Sequence, residues 1–245
     1  MPEPRVYSAA VVGCGSGGSL SIDALARSAC FHLTAVCDLR EEVRRTFAEK
    51  YPGIRTYANH HELLTESPTD IVCVSTYADT HAEIAHAAMA TGLAGILVEK
   101  PLGDTTAAGR AIVTAAEDRR LPLAVPHGLL ARATSREVLT RVRRGDIGSL
   151  RLVEIECTGW DIINAGIHWL QFFVTLLGDE PLEAVLATCD SSTRTYRDGM
   201  QVETEAVTCA WTRSGVRVVL HTGDDVRMSR AERSTLFRIV GTDGL

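Results

Sequence analysis

The sequence predicts an α/β protein, with a doubly wound parallel sheet in its first half and an α+β domain in its second half. Up to about residue 125, short apolar runs alternate with segments that have helical spacing. These runs are apolar almost throughout, as in strands covered by helices on both faces. Beyond that point, strand-like runs follow one another around a single apolar helix, which is typical of an open-faced, mostly antiparallel sheet.

Five apolar runs are the predicted strands of the first half. They cover residues 6–12, 32–38, 70–75, 95–99 and 121–125. The helical segments between them imply right-handed crossovers and hence parallel strands. Three predicted helix starts carry a capping box, in which a side-chain oxygen and a glutamate three residues later satisfy free amides. These pairs are Asn59 with Glu62, Thr80 with Glu83, and Thr134 with Glu137.

The second half is predicted to begin near Pro126, which divides the chain into domains 1–125 and 126–245. The predicted helices are 135–144 and 164–177, and the predicted strands are 150–157, 182–190, 204–212, 216–222 and 235–240. The last run closes in a turn at 241–245 with no strand after it. We therefore expect the second domain to be truncated at its C-terminal end.

Composition and charge limit the possible partners. The 245 residues carry a formal net charge of -6, without the basic excess typical of proteins that bind nucleic acid phosphates. No apolar run reaches the roughly 18–20 residues of a membrane span, and Gly13 and Gly15 interrupt the apolar run where a signal peptide needs its core. The 7 cysteines include no Cys-x-x-Cys pair. We expect a cytoplasmic protein with reduced thiols and no bound metal, and neither a membrane nor a nucleic acid as partner.

A glycine-rich loop follows the first predicted strand and opens the first helix. Gly13, Gly15 and Gly18 fit the pattern G-x-G-x-x-G. Gly13 permits a tight turn, Gly15 lets the backbone approach a pyrophosphate, and Gly18 lets the helix pack closely on the strand. Ser16 lies in the same loop, where the free amides and the dipole of a helix N-terminus favour phosphate. The loop predicts a dinucleotide cofactor.

Asp38 ends the second predicted strand, 20 residues beyond Gly18. A carboxylate at this place accepts hydrogen bonds from the ribose hydroxyls and repels a 2′-phosphate, which favours NAD over NADP. Alternatively, Asp38 caps the helix predicted over 39–50, with Glu41 at the capping-box position, and one carboxylate can serve both roles. Arg40 keeps NADP open, because a guanidinium binds phosphate well.

Lys100 closes the fourth predicted strand, in the sequence Val98-Glu99-Lys100-Pro101. Ligands of open parallel sheets bind at the carboxyl ends of the strands, and the following proline keeps Lys100 out of helical geometry. A lysine at this place can hydrogen-bond a substrate oxygen and exchange a proton with it. The alternative is a surface lysine that pairs with Glu99.

These segments together resemble the glucose–fructose oxidoreductase/inositol dehydrogenase (Gfo/Idh/MocA) family. The resemblance rests on the glycine loop, on 74–76 with 80–83, and on Glu99-Lys100-Pro101-Leu102, and it covers about the first 178 residues. It implies a Rossmann domain joined to an open-faced sheet domain, NAD(P)-dependent chemistry on sugars, polyols or related compounds, and homo-oligomers formed through the sheet.

The resemblance also implies roles for individual residues. Lys100 matches the family's catalytic lysine, and Ser75 and Thr76 match a loop beside the nicotinamide, although Tyr77 stands where a proline is common. His81 contacts the cofactor or, equally, belongs to the first turn of a capped helix. The predicted cofactor contacts are Gly13, Gly15, Ser16, Gly18, Asp38, Arg40, Ser75, Thr76, His81, Glu99 and Lys100.

In the second half, the segment 164–171 resembles a family helix that carries an acid and a histidine four residues apart. This spacing puts Asn164 and His168 on one helix face, in a polar stripe without charge that suits the wall of a cleft or, alternatively, a satisfied core histidine. The family usually has Asp where Asn164 stands, and an amide cannot take a proton. Either His168 acts with weaker electrostatic support, Lys100 does more of the chemistry, Asp161 substitutes for the missing acid, or redox activity has been lost.

The favoured function is an NAD-dependent dehydrogenase of sugars, polyols or related derivatives, with Lys100, His168 and Asn164 as the catalytic group. One alternative is a non-catalytic NAD(P)-binding sensor or regulator on the same scaffold. Another keeps NAD bound and uses transient oxidation for elimination or glycoside cleavage.

Overall fold

The structure is a computed structural model that describes residues 5–224, 226 and 235–245. The chain divides into two compact units, Met1–Pro126 and His127–Leu245. Within the described ranges, no helix combines the length and the apolar character needed to cross a membrane.

The first unit is a six-stranded parallel sheet with helices on both faces. Its strand order is β3-β2-β1-β4-β5-β6, and all neighbouring strands are parallel. The chain builds the sheet outward in one direction from β1 to β3 and in the other direction from β4 to β6. The strands are β1 Tyr7–Val12, β2 Phe31–Cys37, β3 Arg55–Tyr57, β4 Ile71–Val74, β5 Gly95–Val98 and β6 Leu123–Ala124. The helices are α1 Ser16–Arg27, α2 Glu41–Lys50, α3 His60–Glu66, α4 Ala78–Met89 and α5 Thr106–Asp118.

The near-continuous apolar character of the strands is explained by burial on both faces. In β1, Ala10 and Val12 belong to one hydrophobic cluster, whereas Ala9 and Val11 belong to another on the opposite side. All four are at most 2% exposed. This is the doubly wound arrangement that the alternation of strands and helices predicts.

The second unit contains a five-stranded mixed sheet in the order β13-β7-β12-β11-β8, and a small two-stranded sheet of β9 and β10. Only the β7–β12 pair of the larger sheet is parallel. The strands are β7 Leu150–Thr158, β8 Leu182–Cys189, β9 Thr195–Arg197, β10 Met200–Val202, β11 Glu205–Thr212, β12 Arg217–Gly223 and β13 Thr235–Gly241. The α-helices are α6 Gly128–Ala131, α7 Ala133–Arg143 and α8 Ile167–Leu177, with a π-helical turn at Ile162–Gly166 and a 3-10 turn at Ser191–Thr193.

One face of this sheet is covered and the other is more open. Alternate residues of β11 and β12 are buried in a cluster with α7 and α8, which includes Val218, Leu220 and Phe173. Their neighbours along the strands, such as Trp211 and Val219, are exposed by 39% and 36%. The predicted fold class, with its mostly antiparallel open-faced sheet, is confirmed.

Local signals predicted some helix starts correctly and others wrongly. Asn59 caps α3 as expected, because its side chain accepts a hydrogen bond from the His61 amide. The Thr80 prediction was wrong: α4 already begins at Ala78, and the Thr80 hydroxyl donates to the Tyr77 carbonyl instead. The Thr134 prediction was also wrong, because α7 begins one residue earlier without a side-chain cap.

Candidate functional site

The glycine loop between β1 and α1 has the conformation that its predicted role requires. Gly13 has a φ of +90°, and a Cβ there would lie 2.5 Å from the Ser75 carbonyl oxygen. A Cβ on Gly18 would lie 1.8 Å from the Gly13 carbonyl oxygen, so α1 can approach the strand only with glycine at this position. At Gly15, no atom of the described residues outside its chain neighbours and its own helix lies within 4 Å of the Cβ position, which leaves open space beside the backbone.

Helix α1 begins at Ser16, which is exposed, with Gly15 as its N-cap. Among the residues that the structure describes, no side chain caps this end, and its first turn contains no acid. The first amides of the helix therefore remain to be satisfied by solvent or by a ligand. Together with the open space at Gly15, this end of α1 suits a phosphate.

Asp38 lies directly after β2 and is tied to the loop. It is 8% exposed, and its Oδ2 accepts a hydrogen bond of 2.9 Å from the Cys14 amide. The Arg40 backbone amide and the Arg40 Nε each donate a hydrogen bond of 3.0 Å to Asp38 Oδ1. A terminal guanidinium nitrogen of Arg40 donates to Asp38 Oδ2 at 3.1 Å. Burial alone would raise the pKa of Asp38, but the hydrogen bonds from Arg40 and Cys14 outweigh it and lower the pKa. The carboxylate is therefore ionised at neutral pH.

The capping role that the sequence offered for Asp38 was wrong, because α2 begins at Glu41 with Arg40 as its N-cap and has no side-chain cap. The carboxylate instead accepts hydrogen bonds from the Arg40 amide and from the Cys14 amide of the glycine loop. The Arg40 side chain forms a two-point ion pair with it and remains 56% exposed. A positive group thus lies beside the acid that would contact the ribose.

The loop after β4 lies against the glycine loop. The Ser75 amide donates to the Val12 carbonyl at 2.7 Å, which extends the β1–β4 pairing beyond the strands. Ser75 is 8% exposed, and its buried Oγ has no hydrogen-bond partner among the described residues. A buried hydroxyl normally has a partner, so this orphaned atom beside Gly13 and Gly18 fits a site that a dinucleotide completes.

His81 lies under the same loop. It is 1% exposed, with Nδ1 at 3.0 Å from the Pro101 carbonyl oxygen and Nε2 at 3.0 Å from the Thr76 carbonyl oxygen. Both ring nitrogens therefore face backbone, and the histidine connects the loop after β4 to the loop after β5. The structure places His81 as a support for these loops instead of a group open to a ligand.

Glu99 and Lys100 follow β5, next to β4 in the sheet. The Glu99 amide donates to the Val74 carbonyl at 2.8 Å, and the Glu99 side chain lies next to Gly17, whose Cβ would be 3.1 Å from Glu99 Cδ. The Lys100 amide donates to Glu99 Oε2 at 3.1 Å. Lys100 is thus held at the carboxyl edge of the sheet, on the same edge as the glycine loop, where ligands of such sheets bind.

In the second unit, His168 lies in the first turn of α8 and contacts a second histidine. Its Nδ1 is 3.0 Å from Nδ1 of His127, and the two rings are nearly perpendicular, at 83°. A neutral imidazole has one donor and one acceptor nitrogen, so one ring donates a hydrogen bond to the other. Sequence reasoning missed His127, because 41 positions separate it from His168 and no motif connects them.

Asn164 is held by Asp161, in the π-helical turn before α8. Asp161 is buried, with 1% exposure. Its carboxylate accepts one hydrogen bond of 2.8 Å from the backbone amide of Asn164 and another of 2.9 Å from the side-chain Nδ2 of Asn164. Arg197 donates to the same carboxylate at 3.2 Å and also pairs with Asp224. Asp161, which the sequence suggested as a substitute for the missing acid, therefore holds the Asn164 side chain in place. Arg197 had no signal in the sequence.

Comparison with known proteins gives a match for the first unit. The model of a family described as "Oxidoreductase family, NAD-binding Rossmann fold" (GFO_IDH_MocA) matches residues 7–127. The rhizopine catabolism protein MocA of Rhizobium meliloti is 27% identical over 212 residues, which are 80% of this chain and 64% of that protein. A D-apiose dehydrogenase of Paraburkholderia graminis is 27% identical over 143 residues, 58% of this chain and 38% of that protein. The chain thus spans less than two thirds of the length of either relative.

Solved structures share the fold over nearly the whole chain. An oxidoreductase from Agrobacterium radiobacter, crystallised with NAD+, L-tartaric acid and magnesium, has a TM-score of 0.82 at 20% identity, covering 96% of this chain and 72% of its own. The WlbA dehydrogenase from Bordetella pertussis, crystallised with NADH and UDP-GlcNAcA, has a TM-score of 0.82 at 20% identity, covering 97% and 76%. At this identity the likeness concerns the fold alone.

The family match agrees with the observed glycine loop, with the ionised Asp38 and with the position of Lys100 after β5. It confirms the predicted resemblance, and with it the prediction of an NAD cofactor. Residues 7–127, just under half of the chain, match the NAD-binding Rossmann domain of the Gfo/Idh/MocA oxidoreductase family.

Proposed function

We propose that the protein is an NAD-dependent dehydrogenase that transfers a hydride between the nicotinamide and a sugar, a polyol or a related derivative. The observation that carries this proposal is the position of Lys100 at the end of β5, in the same unit and on the same sheet edge as the dinucleotide loop. A sugar-type substrate is supported by the relatives, one of which is named as a D-apiose dehydrogenase. Localisation in the cytoplasm remains part of the proposal.

The residues that would hold NAD are those around the glycine loop. The amides at the start of α1 would bind the pyrophosphate, and Asp38 would accept hydrogen bonds from the adenosine ribose. The orphaned Ser75 hydroxyl would gain a partner. Arg40 partly neutralises Asp38, so we expect weaker discrimination against NADP than a lone carboxylate would give. Bound NAD supplies the acceptor for the hydride.

Lys100 and His168 act on the substrate hydroxyl in different ways: Lys100 binds its oxygen, and His168 takes its proton. The Lys100 ammonium donates a hydrogen bond to the substrate oxygen and stabilises the negative charge that develops there. His168 accepts the proton at Nε2, which requires that its Nδ1 carries a hydrogen and donates to His127 Nδ1. The imidazolium formed on His168 keeps this hydrogen bond, so His127 serves the function that a carboxylate serves elsewhere. Asn164, held by Asp161, orients the substrate.

The first test is a screen of sugars, polyols and their acid derivatives for NADH formation, together with calorimetric measurement of NAD binding. We expect turnover by the wild-type protein, and a decrease in kcat of about 10²–10⁴ for Lys100→Ala, the usual effect of losing an acid–base group. The control is Lys50→Ala, an exposed lysine on α2 that pairs with Asp23, which should leave kcat unchanged.

Other outcomes would favour other functions. NAD binding without turnover on any substrate would favour a sensor or regulator. Turnover without net NADH release would favour elimination or glycoside cleavage with retained NAD. Wild-type kcat in Lys100→Ala on the true substrate would remove the lysine from the mechanism.

A further inference from the structure

Three side chains of the first unit form a cluster outside the proposed dinucleotide site. His60 and His61 begin α3, and Glu83 lies on α4. One ligand atom from each residue lies within 4.8 Å of the other two. His60 Nε2 is 3.7 Å and His61 Nε2 is 3.9 Å from Glu83 Oε1. These distances are too long for hydrogen bonds, although the three atoms converge.

The most buried atom of the cluster has no partner. The His60 side chain is 18% exposed, and its Nε2 is buried with no hydrogen-bond partner in the described part of the chain. Buried polar atoms in folded proteins almost always have a partner. The orphaned nitrogen therefore points to a group that the polypeptide itself does not supply.

The two imidazoles are placed so that they could share one cation. A neutral imidazole offers a lone pair, as a metal ligand must. The two histidine rings lie 4.1 Å apart, where two positive charges would repel each other but two ligands of one cation would not.

We infer that His60, His61 and Glu83 form a binding site for a divalent transition-metal ion of the zinc class. A tetrahedral zinc ion with bonds of about 2.0–2.2 Å holds its ligand atoms roughly 3.4 Å apart. The observed 3.7 Å and 3.9 Å are close to this spacing, and small side-chain rotations would reach it. Two imidazoles with one carboxylate suit zinc, cobalt or nickel, whereas magnesium and calcium prefer oxygen ligands.

The site has an open side and connects two helices. The side chains of His61 and Glu83 are 62% and 67% exposed, so water can complete the coordination. An ion there would join α3 to α4, the helix that also carries His81 under the loop after β4. The inference is independent of the proposed reaction, and it differs from the sequence prediction of no metal, which considered only the cysteine pattern.

The direct test is calorimetric titration of the metal-stripped full chain with Zn²⁺. We expect saturable binding of one equivalent, and at least a tenfold increase in Kd for both His61→Ala and Glu83→Gln. These two residues are exposed, so their replacement should not prevent folding, which circular dichroism would verify. The matched control is His86→Ala, an exposed histidine on α4 outside the cluster, which should bind as the wild type does.

Titration with Co²⁺ identifies the ligand type independently. The inferred site predicts visible d–d absorption without the intense thiolate-to-metal band of a cysteine site, and this absorption should disappear in Glu83→Gln. Absence of saturable Zn²⁺ binding to the wild type would overturn the inference. Wild-type affinity in the two ligand variants, or a thiolate band with Co²⁺, would overturn it equally, because the metal would then bind elsewhere.

Discussion

In the proposed mechanism the His168 ring becomes protonated. Position 164 carries an asparagine, whose amide cannot stabilise an imidazolium as a carboxylate would. The structure provides a second imidazole, since His127 Nδ1 lies 3.0 Å from His168 Nδ1. The Asp161 carboxylate next to Asn164 accepts hydrogen bonds from Asn164 Nδ2 and from Arg197. In the proposed mechanism, the histidine pair lets His168 keep a hydrogen-bonded partner when it accepts a proton.

We expect His127→Ala to lower kcat by at least about tenfold, less than the 10²–10⁴ of a lost acid–base group. The change removes the acceptor for His168 Nδ1–H but leaves the substrate contacts in place, so KM should change much less than kcat. His127→Asn should recover part of the rate, because its side-chain oxygen can accept the same hydrogen bond. Steady-state kinetics of both variants give the comparison. Wild-type kcat in His127→Ala would contradict the assignment.

Asp161 links local stability to pH. Burial alone would raise the pKa of Asp161, but hydrogen bonds from Asn164, Arg197 and Ile163 outweigh it and lower the pKa. A carboxyl group with a lowered pKa in the folded state stabilises the fold above its unfolded pKa of about 3.9. This contribution is lost as the pH falls through the lower pKa of the folded state.

We expect Asp161→Asn to reduce the free energy of unfolding by about 2 kcal/mol at pH 7, the scale of hydrogen bonds to a charged group. The difference from the wild type should shrink as the pH falls below about 4, because the wild-type carboxyl is then protonated as well. Urea unfolding between neutral and acidic pH measures both effects. Asp179→Asn, at an exposed position, is the matched control and should change little. A difference that is independent of pH would contradict the role of the charge.

At the scale of elements, the sequence predicted five of the six strands of the first unit, each to within two residues at either end. The alternation of apolar runs and helices is a local property, and β1 or β5 can be recognised from it. Strand β3 was missed because Arg55-Thr56-Tyr57 is short, lies at the sheet edge and is mostly exposed. Contacts such as Arg197 with Asp161 join positions 36 residues apart, and no local pattern specifies them.

His81 shows how one side chain fixes the relation between two elements. It joins the loop after β4 to the loop after β5 through the Thr76 and Pro101 carbonyl oxygens. In His81→Ala the Thr76 and Pro101 carbonyls lose the ring that lies between them, and with it the one hydrogen bond that a neutral imidazole can donate. This loss is unfavourable, and the loops that contain Ser75 and Lys100 should shift.

We expect His81→Ala to raise the Kd for NAD about tenfold and to lower kcat, although both ring nitrogens of this buried histidine face backbone carbonyls. Calorimetry and steady-state kinetics measure these effects, and His86→Ala on the same helix is the control. His81→Gln, which can still donate to one carbonyl, should fall between the wild type and the alanine variant. Unchanged NAD affinity in His81→Ala would show that the loops keep their positions without this contact.

At the scale of the whole molecule, the open face of the second sheet carries a row of exposed apolar side chains. The register places Leu186, Cys209 and Val219 in one row across β8, β11 and β12, and Trp211 lies next to Cys209 on the same face. Leu186 is 67% exposed and Trp211 is 39% exposed. Contiguous apolar side chains on a sheet face are typical of protein interfaces, which supports the proposal of a homo-oligomer through this sheet.

Leu186→Glu should therefore dissociate the oligomer, because it places a charge at the β8 end of an apolar row that a second copy would cover and thereby desolvate. The matched control is Val185→Glu, its neighbour on the opposite face of β8, which is 58% exposed. Since successive side chains of a strand point to opposite faces, the control adds the same charge to the same strand without entering the row. Light scattering coupled to size-exclusion chromatography should show the wild type and Val185→Glu as oligomers and Leu186→Glu as a smaller species. A monomeric wild type, or equal dissociation of both variants, would contradict association through this face, and either result would leave the assignment of the dinucleotide site unaffected because that site lies within the first unit.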